Sequence, residues 1–394
     1  MRNSLSNRVV ELLARVLYEV VEKRISVDVA FKKVCGGRCA KGFEERERLY
    51  QLCRDFVSDY VKLLCYLGNR KVSYRKLARL WLGGSLPELA EPYCRLSVPK
   101  WLYEKILPLL GEQETWRLFE SFRERFWWLR INTFRGSEER VVRELESEGV
   151  ELEVHRELPY MVRVLRSPKP VRLLRVVREF RAVPQDLASA VAVEHLDVKP
   201  GEVVLDMCAA PGVKTSLISM LSGGEARVIA VDVSRRRLTA SRHLLKRLGV
   251  PETSVNLVLA DSTHLNVRSV DKVLLDAPCS NSGAAGKDPG IKATLTQGKV
   301  EFYSSTQLKL LSKALQTSDL VVYSVCSILP EEGEEVVTNA LSSFEDFQVS
   351  PHRLAKLCSN GYPGYPISDT VCRMFPHTHL SDGFFIARLT KGPR

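Results

Sequence analysis

The sequence predicts an α/β fold with a mostly parallel sheet, preceded by an all-α segment. Three observations predict it. From residue 203 onward, short apolar runs alternate with helical stretches, the pattern of βαβ units whose sheet is covered on both faces. The first run, VVLDMCAAPGVKT at 203–215, reads as strand, tight turn and helix. Residues 5–93, in contrast, carry a helical period.

In that first segment Val9, Val10, Leu12, Leu13, Val16, Leu17, Val20 and Val21 fall on one broad face. Leu49, Leu52, Phe56, Val57, Val61, Leu64 and Cys65 repeat the period in a later helix. Basic residues (Arg8, Arg15, Lys23, Arg24, Lys32, Lys33) are interspersed, which suits a bundle that binds RNA and equally one that only packs. Two more helices are expected over 98–125, with Ser97 as cap and Pro99 near the start. WWLRINTF (127–134), a helix over 137–153 ending near Gly149, and MVRVLR (161–166) together predict a small α/β subdomain. Arg130, Asn132 and Arg135 are read as exposed, suited to RNA backbone contact or to an ordinary surface. A helix over 184–199 leads through Pro200-Gly201 into the strand at 203. Further strands are expected at 227–233, 255–263, 271–280, 318–327 and 383–389, with a helix at 234–250 stopped by Gly249 and Pro251.

A chain of 394 residues holds two or three domains. No apolar run reaches the ~18 residues a membrane helix needs, and the N-terminus enters a helix pattern without a cleavable signal, so a cytoplasmic protein is expected. The formal net charge of +11 favours a polyanionic partner, nucleic acid ahead of a membrane surface. The ten cysteines are too scattered for a compact disulfide framework. Cys35 and Cys39 are four apart, but no second close pair completes a zinc set, and the spaced His377 and His379 are also read without a metal.

Ligands of an open α/β sheet bind at the carboxyl ends of its strands. Four strands end in an aspartate: Asp206, Asp232, Asp261 and Asp276. A carboxylate after the second strand suits the two hydroxyls of a ribose, one after the third an adenine amino group. No GxGxxG is present, which argues against a dinucleotide and for S-adenosylmethionine. Cys279 and Cys326 stand at the ends of the fourth and fifth strands. They read as inert core thiols, as a redox pair, or as nucleophile and helper in covalent catalysis. The flanking chemistry favours the last. A thiolate adding to carbon 6 of a pyrimidine makes carbon 5 able to take a methyl group, and Asp276 is placed to hydrogen-bond ring nitrogen 3.

Five segments resemble the RsmB-type (Fmu/Sun) RNA cytosine-5 methyltransferase family: PQDLAS (184–189), VLDMCAAPGVKT (204–215), DAPCSNSG (276–283), YSVCSILPEEGEEVV (323–337) and RMFPHTHLSDGFFIARL (373–389). The resemblance implies a Rossmann-like methyltransferase domain with a mostly parallel seven-stranded sheet at 181–394, a NusB-like helical RNA-binding domain at 1–95, and linking helices with a small α/β subdomain at 96–180. It further implies that Cys208, Ala209, Ala210, Pro211, Gly212, Val213 and Lys214 hold the methionine part of the cofactor. Asp232 with Arg237 takes the ribose, Asp261 the adenine, and Asp276 lies near both methyl group and base. By the same resemblance Cys326 is the nucleophile, Cys279 assists release, and Lys214 sits in the same pocket. The implied partner of this monomer is ribosomal or transfer RNA, with the target base drawn out of its stack. Val213 stands where the motif has a second glycine, Val325 where it has threonine, Asn281 where it has glycine, and Lys287 near a usual arginine. A β-branched residue resists positive φ, so Val213 is expected to weaken cofactor binding. These departures leave a second reading, an RNA-binding assembly factor with weak or no catalysis.

Overall fold

The computed structural model describes residues 2–37, 39–68, 70–84, 89–267, 270–351 and 354–392. The chain forms two compact units. One takes the residues up to Arg125 together with Ala284–Lys299; the other takes Phe126–Gly283 and the residues from Val300 onward.

The first unit contains α1 (Arg2–Val21), α2 (Val27–Cys35), α3 (Phe43–Ser58), α4 (Tyr60–Leu67), α5 (Tyr74–Leu82), α6 (Pro92–Arg95) and α7 (Lys100–Ser121). Leu13, Val16, Leu17 and Val20 of α1 share one face at helical spacing and are fully buried. They join a core with Phe31, Phe56, Val57, Leu63 and Leu77. Each such side chain contributes about 1.5–3 kcal/mol of burial. Ser26 and Ser73 cap α2 and α5. Residues 100–121 are two helices in tandem, because Pro108 removes a donor and Gly111 is non-helical (φ 75°, ψ 170°). Ser97 is not the cap. It lies two residues before the helix at φ 55°, and its Oγ accepts the Lys62 N–H at 3.0 Å.

The segment Ala284–Lys299 is built into this helical unit. Asp288 Oδ1 accepts the N–H of Val27 at the start of α2 (3.2 Å). Arg54 donates to the carbonyls of Lys287 (2.6 Å) and Gly286 (2.8 Å). Lys292 Nζ donates to Ser58 Oγ (2.9 Å), and burial pushes its ammonium down to about 7. A Cβ on Gly290 would stand 2.8 Å from Val20 Cγ1.

In the second unit a small antiparallel sheet runs β2 (Glu151–Val154), β3 (Met161–Arg166), β1 (Trp127–Ile131), β4 (Ala182–Pro184). Helices α8 (Glu138–Ser147) and α9 (Arg175–Arg178) lie between its strands in sequence. Because β1 is an inner strand, Arg130 and Asn132 are buried, contrary to the surface reading; Arg135 alone of the three is exposed. Arg130 donates to Ser216 Oγ (2.7 Å), and Asn132 Nδ2 donates to the carbonyls of Phe180 and Leu248 (both 2.8 Å).

The large sheet of this unit runs β10 (Phe347–Val349), β12 (Phe384–Lys391), β9 (Leu320–Val325), β8 (Lys272–Asp276), β5 (Val203–Asp206), β6 (Arg227–Asp232), β7 (Val255–Leu259), with β11 (Cys372–Met374) also beside β12. Strands β5 to β9 are parallel; β10, β11 and β12 pair antiparallel. The fold is Rossmann-like as expected, but the sheet has eight strands, not seven. β10 and β11 span three residues each, too few to show a period. Helices α10 (Leu187–Glu194), α11 (Val213–Leu221) and α12 (Arg235–Leu248) belong to this unit. Asp186 caps α10 through the Ala188 N–H.

Six cysteines form disulfides, which corrects the expectation from their scatter: Cys35–Cys39, Cys65–Cys94 and Cys358–Cys372. Each pair closes a loop within one unit, and the wide spread of the whole set hides these local pairs. Cys53, Cys208, Cys279 and Cys326 are free. Among the described residues no helix is long and apolar enough to cross a membrane.

Candidate active site

Three parallel strands deliver the central groups. β5 ends in Asp206, and the chain then turns through Met207–Gly212 into α11. Gly212 has φ 96°, and a Cβ there would stand 3.4 Å from Ser241 Cβ. Val213 is the first residue of α11 and is absent from the positive-φ positions, so the strain expected of it does not arise. Only the first of the two motif positions needs glycine.

Asp206 is fully buried. Its Oδ2 accepts Thr215 Oγ1 (2.7 Å), while Oδ1 has no partner. Burial pushes this carboxyl up to about 7. Asp232, ending β6, gathers three of the predicted cofactor residues. Its Oδ1 accepts the Ser234 N–H (2.9 Å), and its Oδ2 meets the Ala210 N–H (3.3 Å) and Arg237 Nη1 (3.2 Å). Arg237 also donates to the Ala210 carbonyl. Cys208 lies in the same loop, and burial raises its thiol. Asp261 stands apart on an exposed turn. It caps Ser262–His264, accepting the Thr263 N–H and hydroxyl, which hold its carboxyl below the usual range. The neighbouring Ser262 hydroxyl donates to the Met207 carbonyl and so ties that turn to the β5 loop.

Asp276 ends β8. Lys214 Nζ lies 2.8 Å from its Oδ2, and Ser324 Oγ donates to its Oδ1 (3.0 Å). Burial works against the Lys214 ammonium, but Asp276 outweighs it and holds the charge. The two sulfurs stand 3.2 Å apart without a bond. Cys279 is 4% exposed, whereas Cys326 is half-buried. A hydrogen bond with Cys326, and then burial, hold the Cys279 thiol well above its ordinary value. Asn281 Oδ1 accepts the Cys326 S–H at 2.9 Å. Asn281 has φ 60°, the left-handed conformation that asparagine tolerates.

Sequence reasoning missed the group that fixes both loops. In sequence Glu331, Glu332, Glu334 and Glu335 are explained by favourable interaction with a helix N-terminus after Pro330, yet Glu332 and Glu334 are fully buried. Glu332 Oε1 accepts the Ser280 N–H (2.7 Å) and Gln307 Nε2 (3.2 Å). Its Oε2 accepts the hydroxyls of Ser280 (2.5 Å) and Ser327 (2.6 Å). Burial raises this carboxyl while the serine donors oppose the rise. Glu334 pairs with the buried Arg373, which also donates to the Ser327 carbonyl (3.2 Å). The repeated Cys-Ser pair, in PCS and VCS, is the only sequence signal of this shared anchor.

The arrangement presents a half-buried thiol, an enclosed thiol that holds its proton, and a lysine-paired carboxylate beside a glycine turn. The turn, the unpartnered Asp206 oxygen and the carboxylate after β6 fit a ligand with a cationic end and vicinal hydroxyls. Among the described residues no group of three His, Cys, Asp or Glu could hold a metal.

Comparison with known proteins points the same way. Residues 193–390 match the model of the 16S rRNA methyltransferase RsmB/F family, and residues 98–172 match the RsmF/B-like ferredoxin-like domain. Ribosomal RNA small subunit methyltransferase B of Klebsiella pneumoniae is 32% identical over 312 residues, covering 78% of this chain and 69% of that protein. A methyltransferase homologue from Pyrococcus horikoshii superposes with a TM-score of 0.67 at 30% identity, over 78% of this chain and all of that one. NSun6 from the same organism, solved with SFG, shares the fold with a TM-score of 0.66 at 24% identity, over 75% of this chain and 99% of that one.

Proposed function

Because the chain belongs to the RsmB/F family of 16S rRNA methyltransferases, we propose that it methylates carbon 5 of a cytosine in ribosomal RNA through a covalent adduct on Cys326. The observation that carries this reading is the pair of free thiols, 3.2 Å apart, one half-buried and one enclosed, at the ends of adjacent strands beside Asp276.

S-adenosylmethionine supplies an electrophilic methyl group when bound. Cys208–Lys214 would hold its methionine part, with the unpartnered Asp206 oxygen available to the ammonium. Asp232, with Arg237, would take the ribose hydroxyls, and Asp261 the adenine. The protein's own work concerns the base. Cys326 Sγ bonds to carbon 6, and the ring electrons move to carbon 5, which becomes nucleophilic. Asp276 and the Lys214 ammonium paired with it would stand at ring nitrogen 3, the ammonium donating a hydrogen bond that stabilises the charge developing there. After methyl transfer, water takes the carbon 5 proton, its electron pair returns to the ring, and the C–S bond breaks with its own pair leaving on Cys326 Sγ. Cys279 keeps its proton and can donate it to the departing sulfur.

The reading is tested by incubating the protein with labelled cofactor and small-subunit ribosomal RNA, then mapping the product by bisulfite sequencing. Label at carbon 5 of one cytosine supports it; transfer to another atom defeats it. The assembly-factor reading loses one of its two motives, since Val213 sits unstrained in a helix. The cytoplasm is the compartment in which we place this activity, with the protein acting as a monomer and the helical unit as its NusB-like RNA-binding part.

A further inference from the structure

Away from the thiols, α9, β4 and the last turn of α12 enclose a groove of about 700 Å³. Four arginines line it, Arg172, Arg175, Arg178 and Arg247, against the single carboxylate of Glu179. That carboxylate is already engaged by Arg175 (3.6 Å) and Arg181 (2.5 Å). Among the described residues no carboxylate pairs with Arg178 or Arg247. The Arg247 guanidinium instead lies 4.3 Å from the centroid of Phe180. Phe180 has φ 60°, a conformation that is costly for a bulky side chain and that a functional site can justify.

The surroundings extend the charge. Helix α12 carries Arg235, Arg236, Arg237, Arg242, Lys246 and Arg247 and no acidic residue. At about 100° and 1.5 Å per residue, Arg236, His243 and Arg247 share one face of α12, a ridge of ~16 Å from the end of β6 to the groove. On the other wall β4 is the edge strand of the small sheet, so half of its backbone polar groups are not used by the sheet.

Arg175 is paired with Glu179 and Glu144, but Arg178 and Arg247 add positive charge to the same groove with no carboxylate set against them among the described residues. A polyanion neutralises that excess. Guanidinium groups fork onto phosphate oxygens, and a guanidinium-backed aromatic ring offers a surface on which a base can stack. We infer that this groove binds the sugar–phosphate backbone of single-stranded RNA flanking the reacting nucleotide, with the α12 ridge guiding the strand from the cofactor side. The inference rests on the reading of the chain as an RNA methyltransferase.

The test compares the wild type with R178A/R247A, both residues being exposed and the only contact given up among the described residues being the stacking of Arg247 on Phe180. A labelled single-stranded fragment of small-subunit ribosomal RNA is titrated over a series of KCl concentrations. Sinefungin binding is measured in parallel as a check on the fold and the cofactor pocket. Losing two phosphate contacts should lower the magnitude of the log Kd against log salt slope by about 1.4 and raise KM for RNA at least ~10-fold, with sinefungin affinity unchanged. R178K/R247K should restore most of the slope, because lysine still neutralises phosphate as a point charge. Wild-type binding with unchanged slope and KM in R178A/R247A overturns the groove while leaving the methyltransferase reading intact. So does a variant that binds RNA normally but loses an acidic protein partner. A wild-type chain that binds no RNA overturns both.

Discussion

The loops after β8 and β9 carry the same dipeptide, Cys-Ser, and hold it differently. In the first, Cys279 is enclosed and its thiol is held well above its ordinary value. In the second, Cys326 is half-buried and its S–H reaches Asn281. The following serines, Ser280 and Ser327, are treated alike, since both donate to Glu332 Oε2. One buried carboxylate therefore ties both loops together, while the two sulfurs differ in exposure. On the proposed reading, access favours Cys326 as the group that attacks.

The largest effect should come from breaking that asymmetry. Cys326→Ala is expected to lose methyl transfer by several orders of magnitude and to form no RNA adduct. Cys279→Ala should accumulate a covalent adduct, seen as a retarded band on a denaturing gel; the reverse pattern would exchange the two roles.

The common anchor comes next. Glu332→Ala leaves the Ser280 N–H and two hydroxyls without their acceptor, at a cost of about 3–5 kcal/mol in urea unfolding. Turnover should fall as well, because both sulfurs lose their reference point. A stable variant with full turnover would show that the loops are positioned independently.

A third strand-end loop asks whether buried carboxylates serve only as anchors. The folded-state carboxyl of Asp206 is raised to about 7, so ionising it opposes folding. Its stability contribution is fully present below the unfolded pKa of roughly 4 and is lost as pH rises through about 7. Binding a cationic amino group needs the opposite, ionised form. Cofactor affinity, measured by calorimetry, should therefore fall about tenfold per pH unit below 7, and Asp206→Asn should flatten that profile.

Smaller changes sharpen the picture. Asn281→Gly removes the acceptor that orients the Cys326 S–H and should lower turnover in steady-state kinetics while leaving cofactor affinity unchanged. Val213→Gly should leave cofactor affinity within about twofold and cost about 0.5–1 kcal/mol by loosening the first turn of α11. A large gain in affinity would show that the valine does obstruct the site.

The parallel strands and the groups at their ends were legible because apolar runs of four to six residues stop at a charged or reactive side chain. What lay hidden depended on partners distant in sequence. Glu332 and Ser280 are 52 residues apart, and a run of glutamates at a helix start is otherwise explained by the helix N-terminus. Arg130 and Asn132 looked like surface residues because their acceptors lie on α11 and at the end of α12. The three disulfides close short loops that only a folded chain reveals.

The segment Ala284–Lys299 has a consequence for how such a protein can be inherited. It leaves immediately after Gly283, the last residue of the thiol loop motif, and contributes Asp288, Gly290 and Lys292 to the packing of the helical unit. A genetic crossover at residue 125 would transfer seven helices and leave behind the piece that caps α2 and fills the space beside Val20. The half left behind would keep a buried lysine amine stripped of Ser58. The two units are thus not exchangeable cassettes. They form one heritable block, in which changes to the helices must remain compatible with a segment encoded inside the catalytic half.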